Sequence, residues 1–491
     1  MTLDRHSGVF VHLSSIPGAH GIGDLGEGAR AVLDCLERAG QSVWQFCPTN
    51  PTSSVHGHSP YASVSSFAGN PLFVDLRALA DRGWLAESGL EGAPDGDRVA
   101  YDRVEAFKTA RLAEAFEGFR ETTTDDERAA FEAFREREAW LADYTLFVTL
   151  REQFDGQPWA EWPADLADRE ADALAAARAT HADRIAYHAF VQWVFDRQWR
   201  QFHEAAADHG IELLGDLPIY VAWDSADVWA NREAFDLRPD GRPATVAGVP
   251  PNPGDDGQRW GMPVYDWAAL APEYDWWVDR FVRLFDLVDR VRLDHFKAFD
   301  AFWAIPADST DPADGEWREG PGMALFDRVR EATGDLPVIV EDLGFLDESL
   351  VALRDRLGAP GMRVLQYADW CAAEHRHKPA GYPESCVAYT STHDTDTARG
   401  YLESLAGRQR ECLEYALATD AAEGVWDLLE AVWQSEAALA IAPLQDLLGL
   451  GSEARLNDPA GGDDWTWRAP AGVLDDATVD RLRATTDAAL R

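Results

Sequence analysis

Eight short apolar runs, each bounded by turn residues, alternate with segments of helical periodicity along this chain of 491 residues, and no other feature constrains its fold as strongly. The runs cover residues 8–13, 43–47, 211–216, 289–294, 337–341, 363–367, 386–390 and 440–445. Runs of this length are typical of buried strands, and helices between them allow consecutive strands to pair in parallel. The alternation predicts an α/β fold built as one closed parallel barrel, with a doubly wound sheet as the alternative.

Two connections are much longer than an ordinary turn between a strand and a helix. Residues 48–210 show helical periodicity over 101–119, 125–154 and 185–207, which predicts a largely helical insertion at 72–200 after the second strand. Residues 217–288 are rich in Pro, Gly and Trp, which predicts a loop-rich insertion at 217–275 after the third strand. Further helices are predicted at 24–39, 321–333 and 347–357, each followed by a glycine. In a single barrel domain spanning 1–491, both insertions are expected over the carboxyl ends of the strands, where barrel active sites lie.

The chain is strongly acidic, with 86 Asp and Glu residues, 44 Lys and Arg residues and a formal net charge of −42. Nucleic-acid binding depends on Lys and Arg contacts with phosphates, so this charge excludes a nucleic-acid partner. Lysine occurs only at positions 108, 297 and 378. Because salt screens the self-repulsion of a large net charge, the scarcity of lysine favours adaptation to a salt-rich cytoplasm over a merely acidic protein.

The remaining patterns exclude several other classes of protein. No apolar run approaches the roughly 18 residues of a membrane-spanning helix, and the N-terminus lacks a secretory signal, so we expect a cytoplasmic protein without a membrane partner. The chain has neither a Gly-rich phosphate loop nor a dinucleotide fingerprint, so no cofactor is expected. The five cysteines form no C-x-x-C pair and the histidines form no H-E-x-x-H helix. These spacings predict neither a disulfide framework nor a metal site.

Three acidic residues follow predicted strands, where the catalytic residues of a barrel enzyme lie. Asp294 closes one strand, and Arg292 points to the same face two residues earlier, so its guanidinium can keep Asp294 ionised as a nucleophile. Glu341 closes an apolar strand near another carboxylate, and such an environment raises the pKa of a general acid. Asp394, preceded by His393, follows the seventh strand. Carboxylates clustered at successive strand ends are typical of glycoside chemistry.

Each of these motifs also has a purely structural interpretation. Arg292 and Asp294 can form an ion pair that only stabilises the strand, and Asp394 or Asp396 can cap the following helix. The joint occurrence of three acids on one predicted face favours the catalytic interpretation.

Four segments resemble the signature regions of the amylomaltases, or 4-α-glucanotransferases (glycoside hydrolase family 77). They are G-D-L-P-I-Y-V at 215–221, R-L-D-H-F at 292–296, V-E-D-L-G at 340–344 and T-H-D-T-D-T at 392–397. Further similar motifs include G-I-G-D-L-G at 21–26, S-P-Y at 59–61, Q-R-W-G at 258–261 and A-R-L-N at 454–457, so the resemblance covers essentially the whole chain. It implies a (β/α)8 TIM barrel with inserted, mostly helical subdomains and without the C-terminal β-sandwich of the related amylases.

The resemblance also implies roles for individual residues. Asp294 would be the nucleophile, Glu341 the general acid/base, and Asp394 the residue that holds the hydroxyls of the distorted sugar. The residues that would bind the glucan or assist the nucleophile are Arg292, His393, His295, Tyr61, Asp216 and Trp260. Tyr61 and Trp260 could instead pack in the core, but their Gly- and Pro-rich loops favour positions facing the sugar. Asp216 could instead cap the following turn.

Three departures from the family pattern spare the three carboxylates. Lys297 and Ala298 follow Phe296 where the family usually has Arg-Gly, and Thr395 replaces an Asn. The loop at 252–257 reads Asn-Pro-Gly-Asp-Asp-Gly, where the family usually has neighbouring aromatic residues over the bound glucan. These departures predict a change in acceptor affinity and chain-length preference, with the reaction itself unchanged.

The sequence therefore predicts a retaining 4-α-glucanotransferase that acts on α-1,4-glucans and maltodextrins without a metal. An α-glucan hydrolase that uses the same carboxylate pair, with water as the acceptor, is the alternative enzyme. A glucan-binding protein that has lost catalysis is the alternative from another class, and the intact Asp294, Glu341 and Asp394 argue against it.

Overall fold

The eight predicted strands form a closed barrel. The computed structural model describes residues 5–252, 255–417, 424–458 and 464–491. Within these ranges the strands are β1 (His6–Phe10), β2 (Val43–Gln45), β3 (Glu212–Leu217), β4 (Thr245–Val249), β5 (Gln258–Pro263), β6 (Arg290–Leu293), β7 (Ala301–Pro306), β8 (Glu316–Glu319), β9 (Val338–Val340), β10 (Gly361–Val364), β11 (Cys386–Tyr389) and β12 (Leu439–Pro443). The barrel consists of β1, β2, β3, β6, β9, β10, β11 and β12, each parallel to its neighbours, and β12 closes on β1. The predicted (β/α)8 barrel is confirmed, and the doubly wound sheet is wrong.

Each predicted run overlaps one barrel strand. The overlap is shortest at 363–367, because β10 ends at Val364 and Leu365–Tyr367 forms a 3-10 turn. Side chains that alternate along the strands fill the interior of the barrel. They include Phe10, Val43, Leu214, Ile339, Met362, Val364, Val387, Tyr389, Leu439 and Ile441.

Helices occupy most of the connection between β2 and β3. They span Leu76–Asp81, Tyr101–Thr122, Asp125–Arg137, Leu141–Gln153, Ala164–Ala167, Ala171–Thr180 and Ala182–Asp208. The single helix predicted at 125–154 is wrong, since residues 138–140 separate two helices there. Thr124 begins the first of them with a capping box, in which its side chain and that of Glu127 each bond the other's backbone N–H.

The other helices follow or precede the barrel strands. They span Glu27–Arg38, Ala226–Ala230, Trp267–Leu270, Asp275–Phe285, Lys297–Asp300, Met323–Thr333, Glu348–Leu357, Ala398–Ser404, Gly407–Leu417, Val425–Gln434, Leu444–Leu447 and Asp476–Ala488. No helix within the described ranges is long and apolar enough to cross a membrane.

A second sheet lies beside the barrel. Strands β4, β5, β7 and β8 form an antiparallel sheet in the order β5-β4-β7-β8. The segment between β3 and β6, which its composition predicts to be loops, therefore contains two strands and the helix Asp275–Phe285, which buries one face. One of the two partners of β4 is β7, which follows β6, and a pairing between such distant segments leaves no signal in local composition.

One disulfide joins Cys371, in the loop after β10, to Cys412 in the helix Gly407–Leu417. Cys35, Cys47 and Cys386 are free. The expectation that the cysteines form no disulfide framework does not anticipate this pair. The two residues lie on segments that only the fold brings within bonding distance.

Candidate active site

The predicted catalytic residues meet at the carboxyl ends of the barrel strands. Asp294 directly follows β6, and Glu341 directly follows β9. The backbone N–H of Asp294 donates to the carbonyl of Leu217 at 3.1 Å, and that of Glu341 donates to the carbonyl of Leu293 at 3.0 Å. The barrel hydrogen bonds thus extend through both acidic residues and fix their backbones at one edge of the sheet.

Arg292 lies between two carboxylates, as the predicted pairing with Asp294 requires. Its Nη1 is 3.0 Å from Oδ1 of Asp294 and 2.7 Å from Oδ2 of Asp216, and its side chain is only 5% exposed. A guanidinium in this position favours the ionised form of a nearby carboxylate. The predicted ion pair between Arg292 and Asp294 is therefore formed, and Arg292 shares its guanidinium with Asp216.

Asp216 lies beneath the site. It is buried, and it accepts hydrogen bonds from Arg292 and from the hydroxyl of Tyr61, the latter at 2.7 Å. Burial raises the pKa of Asp216, while Arg292 opposes that rise. The Tyr61 ring stacks on His393, with a distance of 5.1 Å between ring centroids. Asp216 is thus a partner of Arg292 and Tyr61 rather than the cap of a turn.

Glu341 has the protonation behaviour of a general acid. Desolvation raises its pKa to about 7, against the lowering effect of Arg292, and the charge of Asp294 contributes to the rise. Its carboxylate accepts the backbone N–H groups of His295 at 2.9 Å and of Leu343 at 3.0 Å. Because its pKa is close to neutral, Glu341 can donate and accept a proton at physiological pH.

Asp394 projects into the barrel mouth, and its side chain is 45% exposed. Desolvation opposes its ionisation, but His393, whose Nε2 lies 3.0 Å from Oδ2, and the side-chain amide of Asn457 hold the pKa of Asp394 well below its usual range. Neither Asp394 nor Asp396 caps the next helix, since the hydroxyl of Thr397 performs that function. The sequence analysis did not identify Asn457 as a site residue, although A-R-L-N was the available signal.

His295 and Trp260 form one wall of the site. The two rings are perpendicular, with centroids 4.8 Å apart, and the indole N–H of Trp260 donates to Gln258. Desolvation lowers the pKa of His295 to about 4, so its ring is neutral near pH 7. Trp260 is only half-buried, and it therefore retains an exposed aromatic surface.

Two of the departures from the family pattern are engaged in local contacts. The ammonium group of Lys297 lies 2.6 Å from both Asp300 and Asp347, and the hydroxyl of Thr395 accepts the backbone N–H of Thr392. In the divergent loop, Pro253 and Gly254 lie outside the described residues. The adjoining Asp255 accepts the N–H of Gly257.

Tyr367 is an aromatic residue at the mouth that the sequence analysis did not select. It is 46% exposed, and its pKa rises to about 12 through desolvation and the nearby charges of Asp394 and Glu341. Its position at the end of the predicted strand at 363–367 was the only available signal. Within the described residues, no group of three or more His, Cys, Asp or Glu side chains is arranged to hold a metal ion.

Comparison with known proteins identifies the family. The family model described as 4-alpha-glucanotransferase, of glycoside hydrolase family 77, matches residues 11–474. The 4-alpha-glucanotransferase of Thermus thermophilus is 44% identical over 503 residues, with full coverage of both chains. That of Synechocystis is 41% identical and covers 98% of this chain and 97% of the relative. The amylomaltase from Streptococcus agalactiae, solved in complex with acarbose, is 33% identical with a TM-score of 0.95 over 99% of each chain. This chain is an enzyme that belongs to the 4-alpha-glucanotransferases of glycoside hydrolase family 77.

Proposed function

We propose that this enzyme transfers a segment of an α-1,4-glucan to the 4-hydroxyl of an acceptor glucose or maltodextrin by a retaining double displacement. The observation that carries this mechanism is the contrast between two acids at adjoining strand ends. Asp294 is paired with Arg292, whereas Glu341 has a pKa of about 7. Because Asp294 forms an ion pair with a guanidinium and Glu341 can carry a proton near neutral pH, the two carboxyl groups divide into a nucleophile and a general acid.

The first step forms a glucosyl-enzyme. The carboxylate of Asp294 attacks the anomeric carbon, and the proton of Glu341 passes to the leaving glycosidic oxygen as that bond breaks. In the second step the Glu341 carboxylate takes the proton of an acceptor 4-hydroxyl, whose oxygen attacks the anomeric carbon and releases Asp294. Two inversions at the same carbon restore the α configuration.

The other residues of the site are proposed to bind the substrate or to orient the catalytic groups. Asp394 accepts hydrogen bonds from the hydroxyls of the distorted sugar, and His393 holds its carboxylate in place. Trp260 presents an aromatic face to the glucan, and His295 lies beside it. Tyr61, Asp216 and Arg292 act from below through their hydrogen bonds.

Incubation with maltotriose, followed by product separation, tests this proposal. Transfer yields both longer and shorter maltodextrins, while hydrolysis yields only shorter products and binding alone leaves maltotriose unchanged. The configuration of the newly formed glycosidic linkage, measured by NMR, tests retention. A β-linked product would contradict the double displacement.

We propose further that the acidic surface adapts the enzyme to a salt-rich cytoplasm. The net charge is −42, and all three lysines, each within the described ranges, are buried or half-buried. Lys108 bonds Asp24, Lys297 bonds Asp300 and Asp347, and Lys378 bonds the carbonyl of Ala372. Arginines pair with only part of the acids and the lysines add little, so a net charge of −42 remains whose self-repulsion salt would screen.

We also propose that the segments 72–200 and 217–275 are insertions within one catalytic domain.

The divergent loop at 252–257 is proposed to weaken the guidance of long glucan chains across the site. A polar loop with two acids offers no aromatic face for stacking on a glucan. We therefore expect short maltodextrins to be used better than long amylose is converted to large cyclic glucans.

A further inference from the structure

Asp342, the residue after Glu341, is surrounded by arginines from three different segments. Because successive residues of an extended chain point in opposite directions, Glu341 faces the barrel mouth while Asp342 faces the surrounding helices. The nearest distances from its carboxylate are 2.9 Å to Arg354, 3.6 Å to Arg363 and 3.5 Å to Arg376. We call these three residues the arginine cage. Asp342 is 2% exposed, so one buried carboxylate faces three cations.

The backbone around Asp342 is shaped to receive its carboxylate. Oδ1 accepts the N–H of Met362 at 2.8 Å, and Arg376 donates to the backbone carbonyl of Asp342 at 3.2 Å. A Cβ at Gly361 would lie 2.4 Å from Oδ2, closer than real contacts allow, so the carboxylate occupies space that only a glycine leaves free. The position of Asp342 is therefore fixed by β10, by the helix Glu348–Leu357 and by the loop that carries Arg376.

We propose that Asp342 is a positioning residue for Glu341. It anchors the peptide that carries Glu341, and its negative charge offsets the arginine cage directly behind the general acid/base. The inference rests on the proposed role of Glu341 and assigns the aspartate of V-E-D-L-G a function in the same reaction.

The electrostatic part of this role follows from the charges around the two residues. The titratable groups whose charges act on Glu341, or on which Glu341 acts, are Arg292, Asp294, Asp342 and Tyr367. Asp342 is faced by the arginine cage and by Cys386, and His375 and His377 adjoin the cage. The charge of Asp342 contributes to the raised pKa of Glu341. Without it, three uncompensated cations would favour the ionised form of Glu341 and lower its pKa.

The test is the pH dependence of kcat/KM for maltotriose transfer in Asp342→Asn. The alkaline limb, where the general acid loses its proton, should move to lower pH by about half a unit or more, which lowers activity near pH 7.5 by about threefold or more. Asp355→Asn is the matched control, because Asp355 also binds Arg354, at 2.9 Å, but on the exposed side of the helix. The control should keep the wild-type limb.

For a second variant we expect the alkaline limb to shift in the opposite direction. Arg376→Gln removes one cation of the cage, so the alkaline limb should move to higher pH. A role in folding alone would lower activity in both variants without shifting their limbs in opposite directions. If Asp342→Asn does not fold, the shift in Arg376→Gln decides the question. An unmoved limb in every folded variant, or an equal shift in the control, would overturn the inference. Retained transfer in Glu341→Gln would instead contradict the proposed function.

Discussion

The backbone N–H of His295 donates a 2.9 Å hydrogen bond to the carboxylate of Glu341. His295 has a φ of 44°, a left-handed conformation that a residue with a side chain rarely adopts. Strain of this kind persists where the surrounding structure enforces it, and it concentrates at functional sites. Since His295 directly follows Asp294, the bond links the orientation of Glu341, the proposed general acid/base, to the strand end that carries Asp294, the proposed nucleophile.

Replacement of Asp294 by Asn should reduce maltotriose transfer by on the order of 10³-fold or more, because the amide cannot attack the anomeric carbon. The fold should persist, which circular dichroism and thermal unfolding can verify. Asp289→Asn is a suitable control at the opposite end of the same strand, where Asp289 bonds the N–H of Leu213 and His203. It should affect stability more than turnover. Full transfer activity in Asp294→Asn would rule out Asp294 as the nucleophile.

The pH dependence of kcat/KM should report the protonation of Glu341. Its pKa of about 7 places the alkaline limb near neutrality, because donor cleavage requires the protonated acid. Glu341→Gln should lose activity on maltotriose yet still form the glucosyl-enzyme from α-glucosyl fluoride, whose leaving group needs no proton. A variant equally slow with both donors would indicate another role for Glu341.

Replacement of Arg292 by Gln should shift the same alkaline limb to higher pH, because Arg292 lowers the pKa of Glu341. It should also destabilise the fold by about 3–5 kcal/mol, since buried Asp216 loses its cationic partner.

The loss of stability in Arg292→Gln should itself depend on pH. Burial already raises the pKa of Asp216 in the folded state, and removal of Arg292 raises it further. The unfolded chain then releases this proton at lower pH than the folded chain, so the stability deficit grows as pH rises through this interval. Denaturant unfolding at pH 5 and pH 8 measures the effect, and a deficit that shrinks at pH 8 would contradict it.

Thermal stability should rise with KCl concentration, because salt screens the repulsion among the acids that give the net charge of −42. The midpoint should be measured from about 0.1 M to about 2 M KCl, a range over which the screening length falls from roughly 10 Å to under 3 Å. A flat or falling midpoint would contradict adaptation to salt and leave the catalytic proposal intact.

An aromatic residue in the divergent loop should increase the yield of large cyclic glucans from long amylose. Asp256 is exposed and suits the substitution Asp256→Tyr, whereas the side chain of Asp255 holds the turn by accepting the N–H of Gly257. Stacking on the new ring would contribute about 1 kcal/mol of glucan affinity. Asp256→Asn controls for the lost charge. If the parent enzyme already forms large cycles efficiently and the tyrosine changes nothing, other residues guide the glucan.

The sequence by itself determined the barrel and the end of the barrel at which the proposed catalytic groups lie. Apolar runs such as 289–294 and 337–341 mark strands that must be buried on both faces, and Asp294 and Glu341 are covalently tied to their carboxyl ends. The spacing of Arg292 and Asp294 on one strand likewise predicts their contact, because residues two apart share a face.

Only the tertiary structure decided which groups from distant parts of the sequence contact these residues. The Arg292 guanidinium also binds Asp216, Asn457 reaches Asp394, and Cys371 meets Cys412. The arginine cage behind Asp342 likewise combines a helix, a strand and a loop. These contacts depend on the closure of the barrel and on the packing of its connections. Periodicity and spacing describe the chain over a few residues, so they carry no information about such long-range pairings.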